Sequence, residues 1–290
     1  MSRTSTAMRV LVAASALSAL ALAGCGAPAS TTSSASPSGS VSCAKDSLKT
    51  HTAGKLTVAT DKPAYSPWFV DDDPSNGKGY EAAVAYAIAD KLGFAKGDVT
   101  WVRATFTSVT SPGAKPFDFD VNQVSITDER KNAVDFSSGY YTVRQAVVTT
   151  KGSAIDGKTS IADLKGAKLG GQVGTTSLAA ITKQIGATSA PSVYDTNDLA
   201  VQALKNKQID GLVVDLPTAF YVTGAQLDDG VIVGQLPASG GTPEQFGAVL
   251  DKGSALTACV CQAVDALRTD GALTKLEAQW LAQQGAPELK

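Results

Sequence analysis

The chain has 290 residues, 43% of them hydrophobic, and a formal net charge of −2. That composition allows a full hydrophobic core, and the near balance of charge excludes the basic footprint of a nucleic-acid binder. The single histidine, His51, lies in a polar stretch before the first expected strand; this removes most histidine-based acid–base and metal chemistry and leaves no metal or cofactor implied.

Arg3 and Arg9 form a basic start, followed by an apolar run over residues 10–23 that is rich in Ala and Leu. The run is short for a membrane span and reads as a signal peptide over residues 1–24. Losing its two arginines takes the formal charge to about −4. Export places the mature chain in an oxidising, extracytoplasmic compartment where disulfides persist. Leu22-Ala23-Gly24-Cys25 resembles a bacterial lipobox, so Cys25 is expected to be lipidated and to anchor the protein to the cell membrane. Ordinary cleavage after Ala21-Leu22-Ala23 is the alternative. Residues 25–50 form the expected tether, because Ser, Thr, Ala, Pro and Gly dominate residues 27–42 and cannot bury surface.

Lys55–Thr60 alternates and is expected as a strand. Over Gly79–Leu92, the side chains of Tyr80, Val84, Ile88 and Leu92 recur every four residues, which predicts an amphipathic helix ended by Gly93. Strands are expected at Val99–Arg103, Val121–Ile126 and Val143–Thr149. A second α/β stretch starts near Lys151. It has strands at Ala167–Gly171, Gly211–Val214 and Val231–Val233. Helices run from Gly174-Thr175-Thr176-Ser177 through Ile185, over Asp198–Asn206, and from Asp215-Leu216-Pro217 onward. Phe246–Leu250 is expected as a strand, followed by helices at Ser254–Arg268 and Ala272–Gln283. Strands that alternate with helices predict an α/β fold with parallel-type sheets. The folded part, roughly 240 residues, suits two lobes of about 100 each.

Six stretches in series carry a resemblance: "LTVATDKPAYSPWF", "GYEAAVAYAIADKLGF", "VSITDERKNAVDFSSGYY", "IADLKGAKLGGQVGTTS", "ALKNKQIDGLVVDLPTAFY" and "LRTDGALTKLEAQW". In this order and spacing they are similar to a family 3 bacterial extracellular solute-binding protein, the substrate-binding lipoprotein of an amino-acid ABC transporter. The resemblance implies a two-lobed periplasmic-binding-protein-like fold with the ligand in a cleft. Lobe 1 would comprise residues 51–139 and 247–290, and lobe 2 residues 145–241. The crossings would fall at 140–144 and 242–246.

The resemblance also implies the site. Arg130 would grip the ligand's α-carboxylate as a planar fork, with Ser125 beside it. Thr176 would be the second carboxylate ligand, at a helix N-terminus that favours anions. Asp215 would accept the α-ammonium. Each has a local alternative: Arg130 in a surface pair with Asp128 or Glu129, Thr175 or Thr176 as a helix cap, and Asp215 as an N-cap before Pro217. Tyr65 and Phe106 match an aromatic wall, with Trp68 near in sequence, and Asp61 and Gln172 match positions that read the side-chain tip. Asp61 could instead cap the next turn or pair with Lys62. Asn122 and Gln123 stand where backbone groups usually meet the ligand; Gln123 is carried as a ligand contact. An acceptor-only Asp61 favours a donor-bearing side chain, such as glutamine or a basic amino acid.

With Cys25 lipidated, Cys43, Cys259 and Cys261 remain. Cys259 borders the apolar helix face of Leu256, Val260, Val264 and Leu267, whereas Cys261 points about 120° away from it. Cys43–Cys259 is therefore the expected disulfide and Cys43–Cys261 the fallback. The implied partners are a free L-amino acid and an ABC permease in the membrane, with the receptor a monomer and no enzyme. The rivals are a cyclohexadienyl-type dehydratase on the same fold, whose only cleft acids would be Asp61 and Asp215, and a ligand sensor without transport.

Overall fold

A computed structural model describes residues 42–238, 243–281 and 285–290. The leader and Cys25 lie outside the described residues, as do residues 239–242, which include the start of the second expected crossing.

In chain order, the first half forms β1 (Leu56–Thr60), α1 (Tyr80–Lys91), β2 (Val99–Arg103), α2 (Phe106–Thr110), β3 (Phe119–Asp120), α3 (Asp128–Lys131) and β4 (Val134–Phe136). The chain then passes through β5 (Tyr141–Thr142) into β6 (Gln145–Thr150), α4 (Ile161–Leu164), β7 (Leu169–Gln172) and α5 (Thr176–Ala180). It continues with β8 (Ser192–Tyr194), α6 (Asn197–Lys205), β9 (Gly211–Asp215), α7 (Leu216–Tyr221) and β10 (Gly230–Gln235). It returns through β11 (Gln245–Phe246) to β12 (Val249–Asp251), α8 (Thr257–Thr269) and α9 (Ala272–Trp280).

The strands make two separate five-stranded sheets, one per lobe, ordered β2-β1-β3-β12-β4 and β10-β6-β9-β7-β8. Both are mixed. In the first, β2 and β3 flank β1 in parallel while β12 runs antiparallel to its neighbours. In the second, β6 runs antiparallel to β9 and β10. The two passages between lobes pair with each other as the antiparallel ribbon β5–β11.

Trp68 lies against this ribbon, in edge contact with Tyr80, Tyr141 and Phe246 at 5.4–6.1 Å between ring centres. Such pairs add about 0.5–1.5 kcal/mol each beyond area burial. The Trp68 indole also donates to Thr218 Oγ1 on the other lobe at 3.2 Å. Trp68 is thus part of the hinge core and not of a cleft wall. Gly79 permits the approach of α1 to this corner: its φ is +100°, and a Cβ there would sit 2.4 Å from the Trp68 carbonyl oxygen.

Two expected strands are corrected. Val121–Ile126 does not form a strand. Gln123 adopts φ +50° and donates its N–H to Glu81 Oε1 at 2.7 Å, a side-chain partner replacing a strand neighbour. Ser125 keeps only a single bridge to Phe246. Phe246–Leu250 divides between the ribbon strand β11 and the sheet strand β12, because the chain is changing structures there.

The described end of the expected tether, residues 42–50, is folded. Cys43 and Leu48 pack on the lobe 1 core, and Lys45 pairs with Asp98 at 2.8 Å. Cys43 is joined to Cys259 by a disulfide with Cα atoms 5.4 Å apart, while Cys261 is a free thiol directed at the Phe136 carbonyl. Closing a loop over a separation of 216 residues stabilises by about 5 kcal/mol on the chain-entropy account.

The C-terminal residues belong with lobe 2, not lobe 1. Leu289 is buried beside Val147, Val233 and Leu236. Gln235 N donates to Pro287 O and Leu289 N to Gln235 O, both at 2.9 Å. The tail thereby covers the open edge of β10, which would otherwise expose unpaired backbone groups.

Candidate functional site

β1 delivers Asp61 to the space between the two sheets. Its carboxylate accepts the N–H of Lys62 (2.7 Å) and that of Phe106 (3.1 Å), at the start of α2. These bonds fix its orientation and leave acceptor capacity unused. Tyr65 follows a short turn later, its ring 6.1 Å from that of Tyr221. Burial first, then the Asp198 carboxylate of the other lobe, push the pKa of its hydroxyl up.

The position of Arg130 follows from local capping. Thr127 Oγ1 accepts the Arg130 N–H at 3.2 Å and starts α3. Asp128 pairs with Lys131 at 3.0 Å, and Arg130 forms no ion pair with either expected surface partner, Asp128 or Glu129, among the described residues. The guanidinium turns inward, only 9% exposed, and lies over the Phe106 ring at 5.2 Å. Nη1 donates to Ser125 O (2.6 Å) and Nη2 to Gly174 O (2.8 Å). Two of its five donors are used on backbone carbonyls, leaving the rest of the planar fork available. Burial lowers its pKa, opposed by Glu244, Asp215 and Glu129.

On the opposite wall, the cap question at α5 is resolved in favour of Thr175, whose Oγ1 accepts from Leu178 N at 3.0 Å. Thr176 is left uncommitted to capping, and its Oγ1 is 3.3 Å from Ser125 Oγ across the lobes. Asp215 sits at the N-cap position of α7 but makes no capping hydrogen bond. Its carboxylate instead accepts from Gln145 Nε2 at 2.8 Å. Burial, then the nearby Glu244 carboxylate, push its pKa up to about 8, against the opposing effects of Gln145 and Arg130.

Glu81 lies behind this site and is fully buried on α1. It accepts from the Tyr140 hydroxyl and from the Gln123 backbone and side-chain amides. Burial pushes its pKa up to about 7, opposed by those donors. It joins the start of the first crossing to Gln123 on the cleft wall.

All the ligand residues expected from the sequence line one cavity between the lobes: Asp61, Tyr65, Phe106, Gln123, Ser125, Arg130, Gln172, Thr176 and Asp215. Trp68 does not line it. Asn122, Ser177, Asn197 and Thr218 also line it, and the buried Asn122 Nδ2 has no partner among the described residues. Asn122 was visible in the sequence as an unusual side chain; Asn197 and Thr218 carried no local signal, since each sits on an ordinary helix. An anion-accepting corner and a carboxylate thus face one enclosed space from two lobes, an arrangement suited to a small zwitterion.

Residues 56–283 match the sequence profile of the bacterial extracellular solute-binding proteins, family 3. The chain belongs to that family.

A probable histidine-binding protein of Campylobacter jejuni is 33% identical to this family 3 protein over 175 residues, which cover 60% of this chain and 64% of the relative. The ABC transporter glutamine-binding protein GlnH of Bacillus subtilis is 29% identical over 224 residues, covering 74% of this chain and 77% of GlnH. Among solved structures, an ancestral arginine-binding protein bound to glutamine matches with a TM-score of 0.64 and 32% identity, covering 79% of this chain and 99% of that one. In this family 3 solute-binding protein the matched region contains every cavity residue named above.

Proposed function

We propose that this protein is the extracytoplasmic receptor of an ABC importer and binds a free L-amino acid by closing its two lobes around it. The observation that carries this reading is Arg130: a buried guanidinium at the junction, bonded to a carbonyl of each lobe and facing Asp215 across the cavity. Arg130 and Thr176 take the α-carboxylate, and Asp215 takes the α-ammonium. Asp61 and Gln172 address the side-chain tip, with Tyr65 and Phe106 along its stem. Closure is a population shift, driven by contacts made better in the closed form.

Polar donors, glutamine and the basic amino acids, are favoured, because Asp61 presents only acceptors. Relatives named for histidine, glutamine and arginine support that choice. The receptor acts as a monomer, held at the membrane by lipid on Cys25 and docking on its permease without catalytic turnover. A thermal-shift screen of the proteinogenic amino acids tests the reading, since a ligand specific for the folded state raises apparent stability. No shift with any of them rejects it. Turnover of a prephenate-like acid would replace it with the dehydratase reading, and mass spectrometry of the membrane fraction tests the lipid on Cys25.

A further inference from the structure

Glu81 on α1 is a fully buried carboxyl that the amino-acid-binding reading leaves unused. Its Oε1 accepts the Gln123 backbone N–H at 2.7 Å and the Tyr140 hydroxyl. Its Oε2 accepts the Gln123 side-chain NH₂. Gln123 is half-buried and lines the ligand cavity, and its amide oxygen accepts no hydrogen bond among the described residues. With the NH₂ turned to Glu81, that oxygen is the end of the amide left for the cavity.

This pattern belongs to the ionised carboxylate, which only accepts. A protonated Glu81 has an O–H to place. Oε1 already takes two donors, one of them a backbone N–H that cannot turn round, so the proton falls on Oε2. There it meets the Gln123 NH₂, donor against donor. A half-turn about the last torsion of Gln123, which is soft and two-fold, brings the amide oxygen to the Glu81 proton and turns the NH₂ to the cavity.

Burial pushes the Glu81 pKa up to about 7, against its three donors. Of the ionisable groups that face it, Tyr80, Tyr140 and Asp120 are all pushed up by burial, Tyr140 and Asp120 well above their ordinary ranges. Glu277 of α9 acts on Tyr80 and Tyr141 instead. Asp215, across the cavity, is pushed up to about 8, but on the proposed reading it meets the α-ammonium, which every free amino acid carries.

We propose that Glu81 is a specificity-determining residue: through Gln123, its proton decides whether that side of the cavity accepts a hydrogen bond or donates one. This rests on the amino-acid-binding reading. Ionised Glu81 favours a ligand side chain with donors only, such as a guanidinium. Protonated Glu81 favours one that brings an acceptor, such as an amide or ureido group.

The first test needs no ligand. In the ¹⁵N-labelled folded protein, the Gln123 side-chain amide resonances are assigned by their loss in Gln123→Gly, where glycine tolerates the φ of +50°. They are expected to shift with pH, with a midpoint near 7. Glu81→Gln offers an N–H in place of the acid proton, so its Gln123 resonances are expected to stay at the low-pH position throughout. No shift in the wild type, or a shift that persists in Glu81→Gln, overturns the proposal.

The second test is calorimetry with L-arginine and L-citrulline, which share their length and α-groups and differ in guanidinium against ureido. The arginine-to-citrulline affinity ratio is expected to rise about tenfold from about pH 6 to about pH 8 in the wild type. It is expected to stay flat in Glu81→Gln and in Gln123→Gly. A ratio that still rises in Gln123→Gly means that the bare charge acts without the amide, and overturns the proposal. If Glu81→Gln fails to fold, the wild type and Gln123→Gly give the same decision. Wild-type protein that binds other amino acids but neither of these two also overturns it. Wild-type protein that binds no proteinogenic amino acid at all rejects the functional reading itself, which separates the two failures.

Discussion

Arg130 Nη2 donates to the carbonyl of Gly174, 44 positions away in sequence and on the other lobe, at 2.8 Å. A lobe 1 guanidinium is therefore already engaged with the turn that opens α5, where a carboxylate would meet Thr176. On the proposed reading, binding and closure act on the same side chain.

Arg130→Ala is expected to weaken amino-acid binding by about 2–5 kcal/mol, the cost of removing one partner of a desolvated charge pair. Arg130→Lys is expected to bind nearly as poorly, because an ammonium cannot supply the planar fork. Calorimetry checks both, with unfolding curves to show that the lobes remain intact. Undiminished affinity in the alanine variant would remove Arg130 from the ligand site.

Asp215, with its pKa pushed up to about 8, predicts a pH dependence of binding. The ligand ammonium pairs with the ionised carboxylate, so binding releases a proton wherever free Asp215 holds one. Affinity is expected to rise from pH 6 to pH 8, by less than about tenfold per unit. Calorimetry in buffers of different ionisation enthalpy measures the release. Asp215→Asn is expected to bind weakly and to lose the pH dependence; a wild-type affinity that is flat over this range would refute the assignment.

Asp61→Asn separates charge recognition from hydrogen bonding. The asparagine oxygen can keep one of the two backbone bonds, to Lys62 N or Phe106 N. A cationic ligand is expected to lose about 2–5 kcal/mol of binding, while glutamine loses less. Tight glutamate binding unaffected by the substitution would place Asp61 outside the side-chain site.

Glu81 predicts a stability slope. Its pKa is raised from 4.5 to about 7 in the folded state, so the folded chain binds more protons than the unfolded one between those values. Its stabilising contribution is complete below pH 4.5 and is lost as pH rises through 7, at up to about 1.4 kcal/mol per pH unit. Glu81→Gln is expected to flatten that part of the profile by denaturant unfolding. Identical slopes in the two proteins would show that Glu81 is not the group responsible.

The sequence by itself determined the elements whose causes are local. The four-residue spacing of Tyr80, Val84, Ile88 and Leu92 specified α1, and the apolar run ending at Asp215 specified β9 and the start of α7. The serial stretches that carry the family resemblance also located the cleft residues, since chain order fixes which strand ends face the gap. Local rules could not choose between Thr175 and Thr176 as the cap of α5, or between capping and ligand roles for Asp215. Those depend on what lies across the cleft: Ser125 beside Thr176, and Gln145 beside Asp215.

Tertiary structure alone decided the rest. Gln123 leaves the β conformation because a buried Glu81 offers its backbone N–H a stronger partner than a neighbouring strand would. Trp68 joined the hinge rather than the cavity because Tyr80, Tyr141 and Phe246 surround it there. The tail settled on lobe 2 because β10 has a free edge and an apolar slot for Leu289. Glu244 reaches Ser125 across 119 residues of sequence. No periodicity encodes such contacts, because they form only when the two lobes bring polar groups far apart in sequence into one space.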